Sequence, residues 1–257
     1  MSTGAERRRG EIIEMICEQG SVRVLEISRK YGVSEVTVRA DLEYLEAQGH
    51  LNRVHGGAVG TGKLYANMNL EERYMTNAAS KKKLAAVVAG LIQSDDTIMM
   101  NAGTTLTYVL HAIEGKKNVS IVTNSIQNTM EAGAYSGLRT VLLGGEVDNK
   151  YQFTYGDDTL SQLDKYHATK CILSVDGIHA EGGLTLYYAN ESGIIRKMIA
   201  SADQVIVVAD SSKLGKNTFS CVAALSDMDV LVTNRVKDSE ELALIKKMGI
   251  TVYEAEE

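Results

Sequence analysis

The chain has no proline among its 257 residues, although ordinary usage of about 5% predicts about a dozen. Its turns must therefore be made by Gly, Asn, Asp and Ser, and we place helix and strand ends at those residues. The longest run of apolar residues and glycine, Leu84 to Ile92, is about half of the roughly 18 residues that a membrane span needs. Arg7 to Arg9 precede no apolar segment of the kind found in secretory signals. We therefore expect a cytoplasmic protein that contacts no membrane.

Cysteine is also scarce. Cys17, Cys171 and Cys221 are odd in number, and none belongs to a Cys or His cluster with the spacing of a metal site. This scatter favours buried, reduced thiols. No pattern in the chain implies a cofactor or a metal.

Positive charge is in the minority, since the formal net charge is −6. That total does not exclude DNA as a partner, because association depends on where the positive charges lie. Residues 1–60 hold eight Arg or Lys and nine Asp or Glu. Several of these acids fall on the first predicted helix, so Arg39 and Arg53 are left to form a positive face. The run Arg7 to Arg9 is either a frayed tail or a further DNA contact.

The first 58 residues have the pattern of three short helices and a hairpin. Apolar residues recur at helical spacing in each helix, and Gly20, Gly32 and Gly49 mark the three helix ends. The segment Tyr31 to Ser34 matches the turn of a helix-turn-helix, and Ser34 can cap the third helix. This pattern predicts a DNA-binding domain at 1–58.

A strand-like segment at 51–55 and the pair Gly56-Gly57 predict a wing after the third helix. The exposed face of that helix would enter the major groove, and the wing would follow the phosphate backbone or the minor groove. Arg39 is the best candidate for a base or phosphate contact. The predicted DNA-binding residues are Ser34, Glu35, Thr37, Arg39, Arg53 and His55.

After a predicted linker at 59–75, apolar runs alternate with helical patterns through residues 76–257. This alternation predicts an α/β domain with a mostly parallel sheet and helices on both faces. The predicted strands lie near 97–101, 119–123, 139–143, 171–175, 204–209, 229–233 and 250–253. The predicted helices include 78–92, 104–114, 188–201 and 239–248.

Polar loops follow several of these strands. Ligands bind at the carboxyl ends of parallel strands, so these loops predict a polar ligand site. A helix N-terminus and a lysine would suit a phosphate, although caps and surface lysines need the same residues. Glu191 could equally be a first-turn acid that complements a helix dipole. The predicted effector-binding residues are Asn101, Gly103, Thr104, Thr105, Asn124, Gly144, Gly145, Asp176, Glu191 and Lys213.

These segments resemble the DeoR family of sugar-metabolism regulators nearly end to end. The specific strings are Arg8 to Ile16, Val33 to Leu42 and Leu51 to Ala58. The C-terminal half is similar to the family's effector domain, whose fold resembles ribose-5-phosphate isomerase. Ala40 stands where the family commonly has a second arginine, and Asn101 stands where it usually has aspartate.

The resemblance implies a repressor of a carbohydrate operon, and it implies that a phosphorylated sugar relieves the repression. It also implies that the protein works as a homo-oligomer, either a dimer or a tetramer. One alternative is a sugar-phosphate isomerase fused to a DNA-binding module, with Asp176 and Glu191 as acid and base. Glu181 argues against it, because those isomerases commonly have a lysine there. A second alternative is that residues 1–58 make only protein contacts.

Overall fold

A computed structural model describes residues 4–19, 21–61 and 68–256, apart from the side chains of Cys17 and Glu18. The chain divides into two compact units, Met1–Ala78 and Ala79–Glu257. Each has its own buried apolar core.

The first unit is a winged helix-turn-helix. Its three-stranded antiparallel sheet has the order β1-β3-β2, so the predicted wing gains a strand from between the first two helices. The elements are α1 (Gly4–Gln19), β1 (Ser21–Arg23), α2 (Val24–Tyr31), α3 (Glu35–Ala47), β2 (Leu51–Val54), β3 (Gly57–Gly60) and α4 (Leu70–Met75).

The turn between α2 and α3 has the predicted chemistry. Gly32 ends α2 with a φ of 64°, in the left-handed region that glycine adopts without strain. Ser34 caps α3, because its side chain accepts a hydrogen bond from the Thr37 amide at 3.2 Å. Ile27 and Val38 are buried on either side of the turn, which fixes the two helices against each other.

Arg8 and Arg9 are not a frayed tail, because they lie in α1 and brace it against α3. Their Nε atoms donate to the two carboxylate oxygens of Asp41, at 2.6 and 2.8 Å. The Asp41 side chain is 2% exposed. The Arg9 guanidinium also lies over the Tyr44 ring, 3.9 Å from its centroid. Arg7 instead pairs with Glu11 on the same helix.

The segment expected to be a linker, 59–75, contains regular structure at both ends. Residues 59 and 60 complete β3, and α4 begins after Asn69. The Asn69 side chain and the Glu72 side chain each accept from the other residue's amide, which forms a capping box. Residues 62–67 of the expected linker lie outside the described residues. The prediction missed α4 because a six-residue helix contains too few turns to show a period.

The second unit is built on a seven-stranded parallel sheet with the order β15-β14-β12-β9-β4-β5-β6. All seven predicted strands are confirmed as these strands. The strands of this sheet are β4 (Thr97–Met100), β5 (Val119–Thr123), β6 (Leu138–Leu142), β9 (Lys170–Leu173), β12 (Val205–Val208), β14 (Val230–Asn234) and β15 (Thr251–Ala255). The central strands are almost entirely buried, as a parallel sheet covered on both faces requires.

Two small antiparallel sheets were not predicted. They are the hairpin of β7 (Glu146–Asp148) with β8 (Phe153–Tyr155), and the sheet of β10 (Gly177–His179), β11 (Gly183–Leu186) and β13 (Ser220–Ala223). The helices of this unit are α5 (Ala78–Leu91), α6 (Thr104–Ala112), α7 (Ile126–Ala132), α8 (Asp157–Leu163), α9 (Ser192–Ala200) and α10 (Glu240–Lys247). The helix predicted at 188–201 is a 3-10 turn, Ala189–Glu191, followed by α9.

The two cysteines with described side chains differ in environment. Cys171 in β9 is buried, and burial raises the pKa of its thiol. Cys221 in β13 is exposed, so the expectation of a buried thiol is wrong there. The side chain of Cys17 lies outside the described part of the chain. Among the helices of that part, none combines the length and apolar character that a bilayer crossing demands.

We expect Asp41→Ala to lower the free energy of unfolding of the first unit by about 3 kcal/mol, because it leaves two part-buried arginines without their carboxylate. Urea unfolding of the full chain, followed by circular dichroism, measures this change. Glu43→Ala removes an exposed acid from the same helix and should change the free energy by less than about 0.5 kcal/mol. Equal stability of the two variants would show that the brace contributes nothing.

Candidate functional site

The parallel sheet places the predicted effector residues at one edge. Strands β12, β9, β4 and β5 are neighbours, and their carboxyl ends point the same way. Each is followed within a few residues by a buried polar group. These groups are Asp210 after β12, Asp176 after β9, Asn101 after β4 and Asn124 after β5.

Asn101 joins the ends of β4 and β9. Its Oδ1 accepts from the Ser174 amide at 2.9 Å, and its Nδ2 donates to the Ser174 carbonyl at 3.1 Å. The side chain is fully buried. An aspartate could accept from the amide but could not donate to the carbonyl, so the amide is what this contact requires.

Glu191 lies at the centre of the buried cluster. Its Oε1 accepts from the Ala102 amide at 2.9 Å and from Asn124 Nδ2 at 3.1 Å. Burial raises the pKa of Glu191 to about 7, with a smaller contribution from the negative charge of Asp176, although the two hydrogen bonds act in the opposite direction. The carboxyl therefore titrates near neutral pH, and it contacts two neighbouring loops in addition to lying at the start of α9.

Asn124 offers an unsatisfied acceptor in this cluster. Its Nδ2 donates to Glu191 and to the Thr154 carbonyl, the latter at 3.2 Å. Its Oδ1 is buried and has no hydrogen-bond partner in the described residues. A buried acceptor without a partner costs free energy, so this atom calls for a donor such as a ligand hydroxyl.

Two buried lysines supply positive charge at the same edge. Lys81 in α5 is 2% exposed and donates to Thr104 Oγ1 at 3.0 Å. Lys213 is 6% exposed, and its Nζ lies 3.9 Å from an Asp176 oxygen. Burial alone would raise the pKa of Asp210, but the charges of Lys213 and Lys81 and a hydrogen bond from Ser212 lower it. Asp210 is therefore ionised beside two cations.

A third lysine, Lys216, borders this group. Burial lowers its pKa, and the charge of Lys213 lowers it further. An anion that entered here would relieve the repulsion between the two lysines. Sequence reasoning missed Lys216 and gave Lys81 no role of its own, because nothing in the local pattern shows which lysines become buried.

The loop before α6 approaches β9 closely. A Cβ on Gly103 would lie 2.7 Å from the Ser174 Cβ, so only glycine fits there. Gly103 provides no side-chain cap for α6, whose first residues are the buried Thr104 and Thr105. The N-terminus of a nine-residue helix thus faces the region of Lys81, which contacts Thr104.

Gly144 and Gly145 have structural contacts outside this cluster. The Gly144 amide donates to Gln162 Oε1 at 3.0 Å, and its carbonyl accepts from Thr159 Oγ1 at 2.8 Å. A Cβ on Gly145 would lie 2.1 Å from Thr159 Oγ1. Both glycines are exposed, and these contacts are with Gln162 and Thr159 of α8. The proposed effector site therefore does not include Gly144 and Gly145.

The predicted DNA-binding residues lie on α3 and the wing. Arg39 pairs with Glu35 at 2.9 Å, and Arg53 pairs with Glu46 at 2.7 Å. Ser34 and Thr37 contact each other through their hydroxyls at 2.9 Å. His55 is exposed in the turn between β2 and β3.

A cavity of about 270 Å³ separates α3 from the wing. Arg39 and Arg53 both line it, together with the glycines of the wing turn. The lining residues are Val24, Arg39, Leu42, Glu46, Arg53, Val54, Gly56 and Gly57.

Comparison with known proteins identifies both units. The DeoR-like helix-turn-helix domain matches residues 8–61, and the DeoR C-terminal sensor domain matches residues 76–235. The described residues contain no group of three or more His, Cys, Asp or Glu side chains that could hold a metal ion.

Three curated relatives align over most of their length. The HTH-type transcriptional repressor GlcR of Bacillus subtilis is 30% identical over 98% of this chain and 97% of its own. The lactose phosphotransferase system repressor of Streptococcus mutans is 31% identical, over 94% and 96%. The glycerol-3-phosphate regulon repressor of Escherichia coli K12 is 30% identical, over 89% and 90%.

Ribose 5-phosphate isomerase A of Methanocaldococcus jannaschii aligns with 54% of this chain and 55% of its own, at 18% identity and a TM-score of 0.39.

The titration of Glu191 predicts a pH-dependent stability. The unfolded carboxyl has a pKa near ~4.3, so the folded state holds the proton more tightly. Stability is therefore greatest below about pH 4 and is lost as the pH rises through about 7. We expect Glu191→Gln to remove about 3 kcal/mol of the difference in unfolding free energy between pH 4 and pH 8.

Urea unfolding across that pH range, for the parent chain and for Glu191→Gln, checks this expectation. The glutamine can keep both hydrogen bonds of Oε1 but does not titrate. Glu181→Gln is the control, because Glu181 is an exposed acid of the same unit. Parallel pH profiles for all three proteins would contradict the assignment.

Proposed function

Because this chain belongs to the DeoR family of transcription regulators, we propose that its second unit senses a phosphorylated sugar and that this ligand relieves repression by the first unit. The chain is a DNA-binding regulator and not an enzyme, because its family and its relatives are transcription regulators. One observation carries the proposal: Lys81 and Lys213 lie buried at the same sheet edge as the unsatisfied Oδ1 of Asn124. A sugar phosphate has a phosphate group for the two lysines and hydroxyl groups that can donate to Asn124 Oδ1.

The phosphate end of the ligand fits the region of Thr104. A helix N-terminus presents amides and a positive dipole end, which together favour an anion. Lys81 and Lys213 add compact charges of the kind that bind phosphate. Both lysines already balance Asp210.

The hydroxyl end fits Asn124 and Asp176. Asn124 Oδ1 needs a donor, and Asp176 can accept from a sugar hydroxyl with its carboxylate. Glu191 holds the Asn124 side chain through Nδ2, so its role is to orient that acceptor. Glu181 is exposed and negative where the isomerases commonly have a lysine, which agrees with binding without turnover.

The names of the relatives suggest the class of target genes. They repress a lactose phosphotransferase system and a glycerol-3-phosphate regulon, so we infer that this chain represses a carbohydrate operon. We also infer that it acts in the cytoplasm, where chromosomal DNA is accessible, and that it works as a homo-oligomer. Helix-turn-helix proteins commonly bind as dimers to operators whose two half-sites have the same two-fold symmetry.

On the DNA side, Arg39 and Arg53 carry the proposed contacts. The Arg39–Glu35 ion pair is exposed and therefore weak, so DNA can replace the Glu35 carboxylate. Ser34 caps α3, and Glu35 and Thr37 lie in its first turn. The N-terminal residues of a recognition helix commonly contact bases, which supports these three as contacts in the major groove. We infer that His55, which is exposed in the turn between β2 and β3, contacts the DNA backbone.

We expect a panel of sugar phosphates to raise the thermal stability of the full chain, with about 2.7 kcal/mol for the true effector at a hundredfold excess over its dissociation constant. The unphosphorylated sugars should have little effect, because they lack the anion that the lysines bind. Differential scanning fluorimetry measures the shift.

Lys213→Met should abolish that shift, whereas Lys237→Met removes an exposed lysine of the same unit and should preserve it. Ligand stabilisation that is equal in the two variants would place the phosphate elsewhere.

We expect Arg39→Ala to weaken binding to a duplex selected from a random library by about 1–3 kcal/mol, the value of one bidentate base contact. Titrations at several salt concentrations separate two roles. A base contact leaves the slope of log affinity against log salt unchanged, whereas a phosphate contact lowers its magnitude by about 0.9.

Arg235→Ala removes an exposed arginine of the second unit and serves as the charge control. An affinity for the selected duplex that matches this control would remove Arg39 from the DNA-binding face.

A further inference from the structure

Glu46 holds the wing arginine at two points. Its Oε1 accepts from the Arg53 backbone amide at 2.8 Å, and its Oε2 accepts from Arg53 Nε at 2.7 Å. Both carboxylate oxygens are therefore engaged by the same residue. The hydrogen bond from the Arg53 amide, followed by that from its side chain, lowers the pKa of Glu46, so the carboxylate stays ionised at neutral pH.

This contact joins α3 to the wing, the two elements that carry the proposed DNA contacts. Glu46 lies in the last turn of α3, and Arg53 lies in β2, which is an edge strand of the order β1-β3-β2. An edge strand has backbone groups that no neighbouring strand satisfies, and the Glu46 carboxylate satisfies one of them. The wing is thereby tied to the C-terminal turn of the recognition helix.

The contact also restricts the guanidinium. With Nε bound to Glu46, only the two terminal nitrogens of Arg53 remain to meet a phosphate. Arg53 also lines the cavity between α3 and the wing. The Arg39 pair differs, because Glu35 contacts that guanidinium through one bond and no backbone amide.

We propose that Glu46 is a positioning residue that fixes Arg53 for a DNA phosphate and so raises the preference for operator over random DNA. A long side chain that is already ordered loses less entropy on binding. Random DNA binds mainly through net positive charge, which Glu46 reduces by one. The carboxylate therefore favours the specific complex and disfavours the non-specific one.

The proposal depends on Arg53 contacting DNA, as proposed above, and the test separates the two. Affinities of the full chain are measured for two duplexes of equal length, one selected from a random library with the parent chain and one of random sequence. Glu46→Gln can keep the bond to the Arg53 amide but loses the charged partner of Nε. Glu43→Gln makes the same charge change at an exposed position of α3, and Glu43 acts on Arg53 through its charge rather than through the hydrogen bonds that Glu46 makes.

We expect Glu46→Gln to lower the ratio of selected to random affinity about tenfold, the size of one charge-assisted hydrogen bond, and Glu43→Gln to leave the ratio unchanged. Arg53→Lys keeps the charge but has no Nε, so it should reproduce the Glu46→Gln ratio. Combining Glu46→Gln with Arg53→Lys should add no further loss.

Equal ratios for Glu46→Gln and Glu43→Gln would overturn the positioning role, and so would additive losses in the double variant. Arg53→Ala tests the underlying contact independently. If Arg53→Ala leaves the affinity for both duplexes and the salt slope unchanged, Arg53 does not contact DNA, and both the proposed contact and the role of Glu46 fail. If it lowers affinity while the ratio of Glu46→Gln matches its control, only the positioning role fails.

Discussion

The hydrogen bonds of the buried Glu191 carboxyl are the interactions on which the geometry of the second unit, the sensor unit, depends. It joins the loop after β4, through the Ala102 amide, to the residue after β5, through Asn124. Burying an acid is costly, and its pKa near 7 reflects that cost. The two hydrogen bonds offset part of the cost and hold Asn124 with its Oδ1 unsatisfied. The same acid that is expensive to bury therefore fixes the acceptor that a ligand can satisfy.

Sequence reasoning predicted the large sheet well because a buried parallel strand is a run of β-branched and apolar residues between polar loops. Whereas the outermost strands β6 and β15 also contain polar, more exposed residues, the inner strands β4, β9 and β12 follow this pattern. The small sheets do not, since β7 and β10 have three residues each and show too few alternations to be recognised. Their pairing depends on partners elsewhere in the chain, as in the contact of β11 with β13. Short helices such as α7 escaped prediction for the same reason.

The site was predictable as far as topology decides it. Parallel strands bring their carboxyl ends together, so Asn101, Asn124 and Asp176 could be grouped before any coordinates were known. Charge pairing over long separations could not be predicted. Arg8 meets Asp41 across 33 positions, and nothing near Arg8 in the sequence indicates a buried carboxylate. Gly144 follows a strand, as a residue of a ligand-binding loop would. Its sequence neighbours do not show that its amide donates to Gln162.

Asn101 gives the sensor unit its particular electrostatic balance. DeoR-family proteins usually have an acid there, and in this chain the amide both accepts from and donates to the Ser174 backbone. The ends of β4 and β9 are thus joined without a further negative charge beside Glu191. Since Asp210 already draws on Lys81 and Lys213, another carboxylate would compete with an incoming anion for the same lysines. The amide therefore leaves more of their positive potential to the proposed phosphate, and it does so while keeping the two strands connected.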